Sequence, residues 1–256
     1  MWLGIDSGIR TTKAVVLRDG ELCARAKVAT DWEPEEAARV ARREALAQAG
    51  ITEDELDDEA VTGIGKEKVS VERKLSGINA AALGARAYDP TCRAVIDLGA
   101  EGIRAIGIDE AGAPGNFAVN DKCASGAGAF LETMARILDE PVGELGALGA
   151  QRTEDVSVDT QCVVFAESEV ISLIHRQVPA PSIIHAIHKG LANKVGTIAL
   201  RAGVSEPLLM IGASAANADL VACLERKLGA AIQVPADHEF VSAWGAALAA
   251  QQGKGR

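Results

Sequence analysis

The sequence predicts an α/β protein made of two duplicated lobes around a nucleotide cleft. Two Asp-x-Gly units, at 6–8 and 97–99, each follow a short apolar strand, and they begin 91 residues apart. A repeat over this distance favours a duplicated lobe led by a β-hairpin over one doubly wound sheet. The chain has 256 residues, of which 48% are apolar, so a sizeable core can be buried. We place the first lobe at 1–91 and the second at 92–256.

Three consecutive strands are expected at the start of the first lobe. Its predicted strands are 2–8, 13–18, 21–29 and 60–64, and its predicted helices are 33–48 and 77–88. The Asp19-Gly20 pair predicts a tight turn between the second and third strands, and Gly50 ends the first helix.

The second lobe opens in the same way. A strand at 93–99 and a return strand at 104–109 are followed by a turn at 109–112. From residue 123 onward the pattern is mostly helical. The predicted helices are 124–138, 163–175, 181–203, 214–228 and 239–251, with a strand at 206–212.

The charge and composition exclude several classes of protein. The formal net charge is −10 and aromatic residues make up 3% of the chain, which argues against the basic stripe and stacking platforms of a nucleic-acid binder. No apolar run reaches the roughly 18 residues of a membrane span, and no basic leader precedes the first strand. Five scattered cysteines do not suit a secreted disulfide framework. We therefore expect a cytoplasmic protein without nucleic-acid or membrane partners.

The turn of the first hairpin has the composition of a phosphate site. Asp6 is followed closely by Gly8, Thr11, Thr12 and Lys13. Backbone amides and the lysine could surround phosphate oxygens while the carboxylate holds hydrated Mg²⁺. A polar β-turn explains the same residues without a ligand. The second Asp-x-Gly unit favours the phosphate hypothesis, because two such turns facing each other would form a clamp.

Two cysteines are predicted to stand at the starts of helices. Cys123 precedes the helix at 124–138, and Cys162 precedes the helix at 163–175. The partial positive charge of a helix N-terminus favours a thiolate, so both positions suit a metal ligand. The other cysteines, Cys23, Cys92 and Cys223, have apolar or strand-like surroundings and are expected to be small buried hydrophobes.

The two cysteine segments resemble those of a known family. The runs Asn-Asp-Lys-Cys-Ala-Ser-Gly-Ala-Gly at 120–128 and Gln-Cys-Val-Val-Phe-Ala-Glu-Ser-Glu at 161–169 are similar to those of the ATP-dependent activators of 2-hydroxyacyl-CoA dehydratases and the ATPase subunits of class I benzoyl-CoA reductases. The resemblance covers essentially the whole chain. It implies the ribonuclease H-like fold of the acetate and sugar kinase, Hsp70 and actin superfamily. It also implies that Cys123 and Cys162 of two subunits hold one shared [4Fe–4S] cluster, which takes four thiolates.

The resemblance further implies a nucleotide site for ATP or ADP with Mg²⁺. The catalytic residues that it implies are Asp6, Asp97 and Glu101. The cofactor-binding residues are Gly8, Thr11, Thr12, Lys13, Gly99, Gly126, Gly128, Gly212 and Ala213. The last two belong to a segment, 209–214, that matches the adenosine motif.

The chain departs from the activator pattern in two places. Activators usually carry Gly-Gly-Gln-Asp-Ser-Lys after the aspartate of their second phosphate motif, and the glutamine is thought to orient the attacking water. After Asp97 and Leu98, this chain instead has Gly-Ala-Glu-Gly-Ile-Arg at 99–104. This variant is more similar to the small D-type ATPase subunit of benzoyl-CoA reductase, which pairs with a longer related subunit. In the adenosine motif, Ile211 replaces the first glycine and the asparagine is displaced to Asn217.

The resemblance implies that ATP drives an electron transfer. Passing an electron from a ferredoxin near −400 mV to the roughly −700 mV floor of iron–sulfur clusters is uphill by about 7 kcal/mol, so a second energy source is needed. Our hypothesis is that ATP, clamped by Asp6, Lys13 and Asp97 through Mg²⁺, closes the lobes and reorients the helices after the two cysteines. A ferredoxin or flavodoxin would be the donor, and an acyl-CoA reductase or dehydratase would be the acceptor.

Alternatives to this assignment stay open. The chain could form a homodimer, as an activator of a 2-hydroxyacyl-CoA dehydratase, or a pseudo-symmetric heterodimer of the benzoyl-CoA reductase type, which the Glu101 variant favours. A sugar or N-acetylglucosamine kinase would have the same fold, but it gives no reason for cysteines at two helix starts. A non-catalytic scaffold that only completes the cluster for an active partner is a further alternative.

A pair of histidines lies outside these motifs. His185 and His188 share a helix face at positions i and i+3, which could ligate a metal. No third ligand is apparent from the sequence, so ordinary surface positions are favoured.

Overall fold

The N-terminal hairpin begins a mixed β-sheet. The computed structural model describes residues 1–120, 128–160 and 162–253. Within these residues the first sheet contains β1 (Trp2–Ser7), β2 (Thr11–Arg18), β3 (Glu21–Ala29), β4 (Asp58–Thr62) and β5 (Arg73–Lys74). The strand order is β3-β2-β1-β4-β5, and β1 pairs antiparallel with β2 and parallel with β4. This register places Asp6 of β1 directly opposite Lys13 of β2.

The second sheet repeats this arrangement. In the described chain it contains β6 (Ala94–Leu98), β7 (Ile103–Ile108), β8 (Pro114–Asn120), β9 (Leu208–Ile211) and β10 (Ile232–Gln233). Its order is β10-β9-β6-β7-β8, so β6 takes the place that β1 has in the first sheet. Each sheet has a parallel pair of strands at one edge, β4 with β5 and β9 with β10. The duplication predicted from the two Asp-x-Gly units is therefore present in the strand order.

Strand β8 was not predicted from the sequence. Its side chains are mostly exposed or half-buried, and the strand lies at the edge of its sheet. An edge strand without a buried face carries little of the alternating apolar pattern on which strand prediction depends. In its counterpart β3, Ala24 and Ala26 are buried between exposed residues.

The described helices follow the predicted ones to within about four residues, except for α4 (Leu145–Gly149), which the sequence did not predict. They are α1 (Pro34–Ala49), α2 (Gly77–Tyr88), α3 (Gly128–Leu138), α4 (Leu145–Gly149), α5 (Val163–His175), α6 (Ala180–Ala202), α7 (Ala218–Leu228) and α8 (Val241–Gly253). Gly50 ends α1 with a φ of 68°, as its position predicted. The first residues of the helix predicted at 124–138 lie outside the described residues. None of the described helices has both the length and the apolar character that crossing a bilayer requires.

The chain divides into two compact units. The first contains Met1–Val95, Ile108–Gly115 and the C-terminal segment from Pro235; the second contains Ile96–Gly107 and Asn116–Val234. The first unit has three layers, because α1 covers one face of its sheet while α8, backed by α2, covers the other. The division between lobes that the sequence suggests at residue 91 stays a prediction.

Glycines allow the helices of the first unit to approach closely. A Cβ atom at Gly84 of α2 would collide with the backbone of Val241, and one at Gly245 of α8 would collide with the backbone of Ala80. The helix α8 is thus packed tightly within the unit that contains the first hairpin.

Candidate nucleotide and cluster site

The first predicted phosphate turn lies between β1 and β2. Lys13 Nζ is 3.7 Å from Asp6 Oδ2, and the two side chains are 14% and 17% exposed. Lys13 also donates a hydrogen bond to the Thr11 carbonyl oxygen at 3.4 Å. A carboxylate and an ammonium group therefore lie side by side where the turn joins β1 to β2.

The Thr12 hydroxyl points to the interior of the first unit. It donates to Thr30 Oγ1 at 2.9 Å, and Thr30 Oγ1 in turn donates to the Gly8 carbonyl oxygen at 2.8 Å. Thr12 is fully buried. In this structure the predicted cofactor residue Thr12 thus holds the backbone of Gly8 in place, through a threonine that the sequence analysis missed.

A glycine after β4 also supports the first turn and was not singled out from the sequence. Gly63 has a φ of 93°, and a Cβ atom there would collide with the Ser7 carbonyl and lie 2.7 Å from Asp6 Oδ1. The next turn is tied to the same place, because the Gly65 amide donates to the Ser7 carbonyl oxygen at 3.0 Å. Only a residue without a side chain fits against Asp6 here.

The second predicted phosphate turn joins β6 to β7. Asp97 is buried, and its Oδ2 accepts a hydrogen bond from Arg104 Nη1 at 2.8 Å. The Gly99 amide donates to the Gly102 carbonyl oxygen at 2.9 Å, which closes the turn. Glu101 is exposed at its tip.

Several predicted nucleotide residues converge on this second turn. The Gly128 amide at the start of α3 donates to the Gly99 carbonyl oxygen at 2.9 Å. Gly212 has a φ of 92°, and a Cβ atom there would collide with the Leu98 carbonyl and lie 3.3 Å from Asp97 Oδ1. Ala213 then begins a short 3₁₀ helix. The structure therefore brings Asp97, Gly99, Gly128, Gly212 and Ala213 together in the second unit.

The two turns carry the same pair of charges. Asp6 precedes Lys13 by seven residues, and Asp97 precedes Arg104 by seven. Each pair joins the carboxylate of one strand to the cation of the next. Arg104 was not assigned a role from the sequence, although its spacing from Asp97 could have identified it.

One of the predicted cluster cysteines can be placed. Cys162 is half-buried and occupies the N-cap position of α5, which confirms the predicted helix start. Its side chain makes no capping hydrogen bond to the helix. Cys123 and Gly126 lie outside the described residues.

The residues before Cys162, Asp159 and Thr160, contact two different helices, α5 and α6. The Asp159 amide donates to Glu169 Oε2 of α5 at 2.6 Å. Thr160 is buried against Gly190 of α6, where a Cβ atom would collide with its methyl group. These contacts fix where the Cys162 backbone enters the helix.

The remaining described cysteines differ in burial. Cys92 and Cys223 are buried as predicted. The prediction for Cys23 was wrong: it is exposed, because its position in β3 faces away from the core.

The two histidines on α6 are buried, so the surface prediction was wrong. His185 Nδ1 lies 2.9 Å and His188 Nδ1 lies 2.7 Å from the same oxygen, Asp219 Oδ2, on α7. Burial alone raises the pKa of Asp219, but hydrogen bonds from His188 and His185 outweigh it and lower that pKa below its ordinary value. Burial and the Asp219 charge raise the pKa of the neighbouring Cys223 thiol.

The model of the BadF/BadG/BcrA/BcrD ATPase family matches residues 3–250 of the chain. The chain belongs to this ATPase family. The resemblance seen in the cysteine segments and phosphate motifs is thereby confirmed.

Relatives of this chain include both a dehydratase activating ATPase and a subunit of benzoyl-CoA reductase. The (R)-2-hydroxyglutaryl-CoA dehydratase activating ATPase of Acidaminococcus fermentans is 36% identical over 249 residues, which are 96% of this chain and 95% of the relative. The D-type subunit of benzoyl-CoA reductase from Thauera aromatica is 31% identical over 256 residues, which are 96% and 91%.

Solved structures confirm the fold of the ATPase. The crystal structure of the Acidaminococcus fermentans (R)-2-hydroxyglutaryl-CoA dehydratase component A matches 100% of this chain and 99% of its own, at 33% identity and a TM-score of 0.96. A ROK family glucokinase from Streptomyces griseus covers 98% and 99% at a TM-score of 0.60, but only 14% of residues are identical. The sugar kinase likeness therefore extends to the fold alone.

Proposed function

We propose that this chain is an ATP-dependent electron-transfer subunit. It would receive a low-potential electron from a ferredoxin or flavodoxin and pass it, through a [4Fe–4S] cluster shared by two subunits, to a benzoyl-CoA reductase-type or 2-hydroxyacyl-CoA dehydratase partner. The observation that carries the proposal is the pair of matched turns, Asp6 with Lys13 and Asp97 with Arg104, in a chain that also places Cys162 at a helix N-cap.

In this proposal the matched turns bind the phosphates of ATP. Mg²⁺ is commonly held by one or two carboxylates together with substrate phosphates, and Asp6 and Asp97 would supply the carboxylates. Lys13 and Arg104 would then contact phosphate oxygens. Without the nucleotide, each cation neutralises its aspartate, at 3.7 Å and 2.8 Å. Binding therefore exchanges an internal ion pair for one with the ligand.

The surroundings of Cys162 suit a cluster ligand. Its thiol makes no capping hydrogen bond, and the amides of the first turn of α5 favour a thiolate beside them. Cys123 would supply the second thiolate of each chain, and a paired subunit would supply the other two. When bound, a [4Fe–4S] cluster supplies one-electron chemistry at a low potential.

The surface next to Cys162 supports contact with another protein. Val164 and Phe165, in the first turn of α5, are 64% and 68% exposed. Large apolar side chains that are exposed together favour burial against a partner. In the proposal this partner is the second ATPase subunit or the acyl-CoA enzyme.

The second turn favours the benzoyl-CoA reductase type of assembly. Its Gly-Ala-Glu at 99–101 lacks the glutamine that activators carry. We expect the isolated chain to hydrolyse ATP slowly and the mixed complex with a longer related subunit to hydrolyse it faster. If the isolated chain is a homodimer in solution and hydrolyses ATP as fast as the mixed complex, it would instead be assigned as a dehydratase activator.

Anaerobic analysis of iron and sulfide tests the cluster. We expect about four of each per two chains in the wild type, and almost none in Cys162→Ser or Cys123→Ser. Cys23→Ser is the matched control, because Cys23 is also an accessible thiol but lies in β3. Colourless wild-type protein, or equal losses in all three variants, would contradict the proposal.

A further inference from the structure

Four side chains with metal-binding atoms meet where α6 packs against α7. His185 and His188 come from α6, and Asp219 and Cys223 come from α7. All four are buried, with 6%, 0%, 5% and 5% exposure respectively. None of them belongs to the phosphate turns or to the segment around Cys162.

The distances among three of these residues suit a tetrahedral metal. The ligand atoms of His185, Asp219 and Cys223 all lie within 4.8 Å of one another. His185 Nδ1 is 2.9 Å from Asp219 Oδ2 and 4.0 Å from Cys223 Sγ. Neighbouring N, O and S donors of a tetrahedral zinc ion stand about 3.3–3.6 Å apart. The two separations from His185 Nδ1 each differ from this range by about half an ångström.

The backbone holds these ligands on rigid elements. Asp219 and Cys223 are four residues apart on α7, so their side chains share one helix face. The start of α7 is fixed by Asn217, whose Oδ1 accepts the Leu220 amide at 3.0 Å. Sites built from facing helices keep their ligand geometry better than sites on loops.

A second set of hydrogen bonds orients the ligands. Asn217 Nδ2 donates to His188 Nε2 at 2.9 Å, so His188 carries its proton on Nδ1 and donates it to Asp219 Oδ2 at 2.7 Å. Arg226 Nη2 donates to Cys223 Sγ at 3.1 Å, which fixes the direction of the sulfur atom. Outer partners of this kind fix the direction of metal ligands and raise their affinity.

The helix α4 closes the cluster from another side. A Cβ atom at Gly149 would lie 2.5 Å from Asp219 Oδ2 and 2.9 Å from His188 Nδ1. There is thus no room for a side chain between α4 and the carboxylate. The mixed nitrogen, oxygen and sulfur donors suit zinc, whereas magnesium and calcium prefer oxygen ligands alone.

We propose that His185, Asp219 and Cys223 bind one zinc ion, which joins α6 to α7. His188, Asn217 and Arg226 orient the ligands. None of the three zinc ligands belongs to the residues proposed for the nucleotide or the cluster, so the presence of the site does not depend on those functions. Asn217, which orients His188, also lies next to the segment that matches the adenosine motif.

Zinc binding by the full-length chain tests the site. The background is the Cys123→Ser/Cys162→Ser variant, which removes the thiols proposed for the cluster. After treatment with a chelator, this protein should take up one Zn²⁺ per chain in competition with a chromophoric chelator. Cys223→Ala and Asp219→Asn should each weaken binding by at least about tenfold. Cys23→Ala is the control and should bind as the background does.

Two readouts separate a lost ligand from a misfolded protein. Co²⁺ should give thiolate charge-transfer absorption in the background and in Cys23→Ala, but not in Cys223→Ala. Zn²⁺ should raise the thermal midpoint of the background and leave that of Cys223→Ala unchanged. If the background takes up no zinc, or if Cys223→Ala and Asp219→Asn bind it as tightly as the background, the proposal is wrong and the four side chains form only a hydrogen-bonded network.

Discussion

A single carboxylate distinguishes the tip of the turn between β6 and β7. Asp97 lies buried beside Arg104, while Glu101 is exposed at the tip of the same turn. The position is occupied by glutamine in the activator pattern that this chain resembles. A carboxylate accepts a proton that an amide cannot, so the substitution changes the chemistry available to an attacking water.

In the mixed complex that the proposed function expects to be active, Glu101→Ala should lower the kcat of ATP hydrolysis by about 100-fold, because a positioned proton acceptor contributes on the order of 10²–10⁴. The KM for ATP should change little, since Glu101 belongs to neither aspartate–cation pair. Phosphate release measured over a range of ATP concentrations separates the two constants. Glu110→Ala removes an exposed carboxylate from the next turn and is the control; equal kcat values in both variants would remove Glu101 from the mechanism.

Gly212 is a second residue whose role follows from local geometry. Gly212→Ala should destabilise the protein by about 3 kcal/mol, because it adds a collision with the Leu98 carbonyl to an unfavourable φ of 92°. Gly229→Ala should cost only about 1 kcal/mol, because Gly229 lies in the left-handed helical region, at φ 66° and ψ 28°, with nothing within 4 Å. Gly212, at φ 92° and ψ 166°, lies in a region that is essentially restricted to glycine. Urea unfolding measures both. Equal losses of unfolding free energy in the two variants would show that the contact with Leu98 does not contribute to the effect of Gly212→Ala.

At the scale of elements, α6 is the scaffold of the second unit. One part of it carries His185 and His188 toward α7. Another part carries Gly190, which receives Thr160 from the segment that leads into Cys162. The same helix therefore contacts both candidate metal sites. A substitution at Gly190 should change the position and accessibility of Cys162.

Gly190→Ala tests this link. Alanine normally stabilises a helix interior by about 0.5–1 kcal/mol relative to glycine, but here its Cβ would collide with Thr160. We expect a lower thermal midpoint and faster alkylation of Cys162, followed by mass spectrometry of its peptide. Adding Thr160→Ala should restore both values, because it removes the methyl group that collides. A raised midpoint with unchanged alkylation would mean that Thr160 does not position Cys162.

At the scale of the whole molecule, the sequence was sufficient for the fold and for most of the residues in the two turns. Hydrophobic periodicity located the main strands and helices because they have a buried face. Strand β8 lacked such a face, yet the duplication could have located it as the counterpart of β3.

Contacts between distant residues could not be predicted in this way. The pairing of Asp219 with His185 is one example, because the two residues are 34 positions apart in the chain. The packing of α8 in the first unit could not be predicted for the same reason, because it depends on close backbone contact at Gly84 and Gly245. A sequence pattern records which face of an element is apolar, but not which element covers it.

The packing of α8 gives a prediction about how the molecule unfolds. Gly245→Ala places a Cβ atom against the backbone of Ala80 and 2.8 Å from the Gly84 amide, where neither neighbour can move without shifting α2. We expect a loss of about 1–3 kcal/mol and faster amide hydrogen exchange in β1–β4, although these strands lie more than 180 residues earlier in the chain. Exchange in α6 and α7 should stay unchanged, because these helices belong to the other compact unit. Gln252→Ala changes an exposed residue of the same helix and should have no effect. Uniformly faster exchange in both units would instead show that the chain unfolds as one cooperative block.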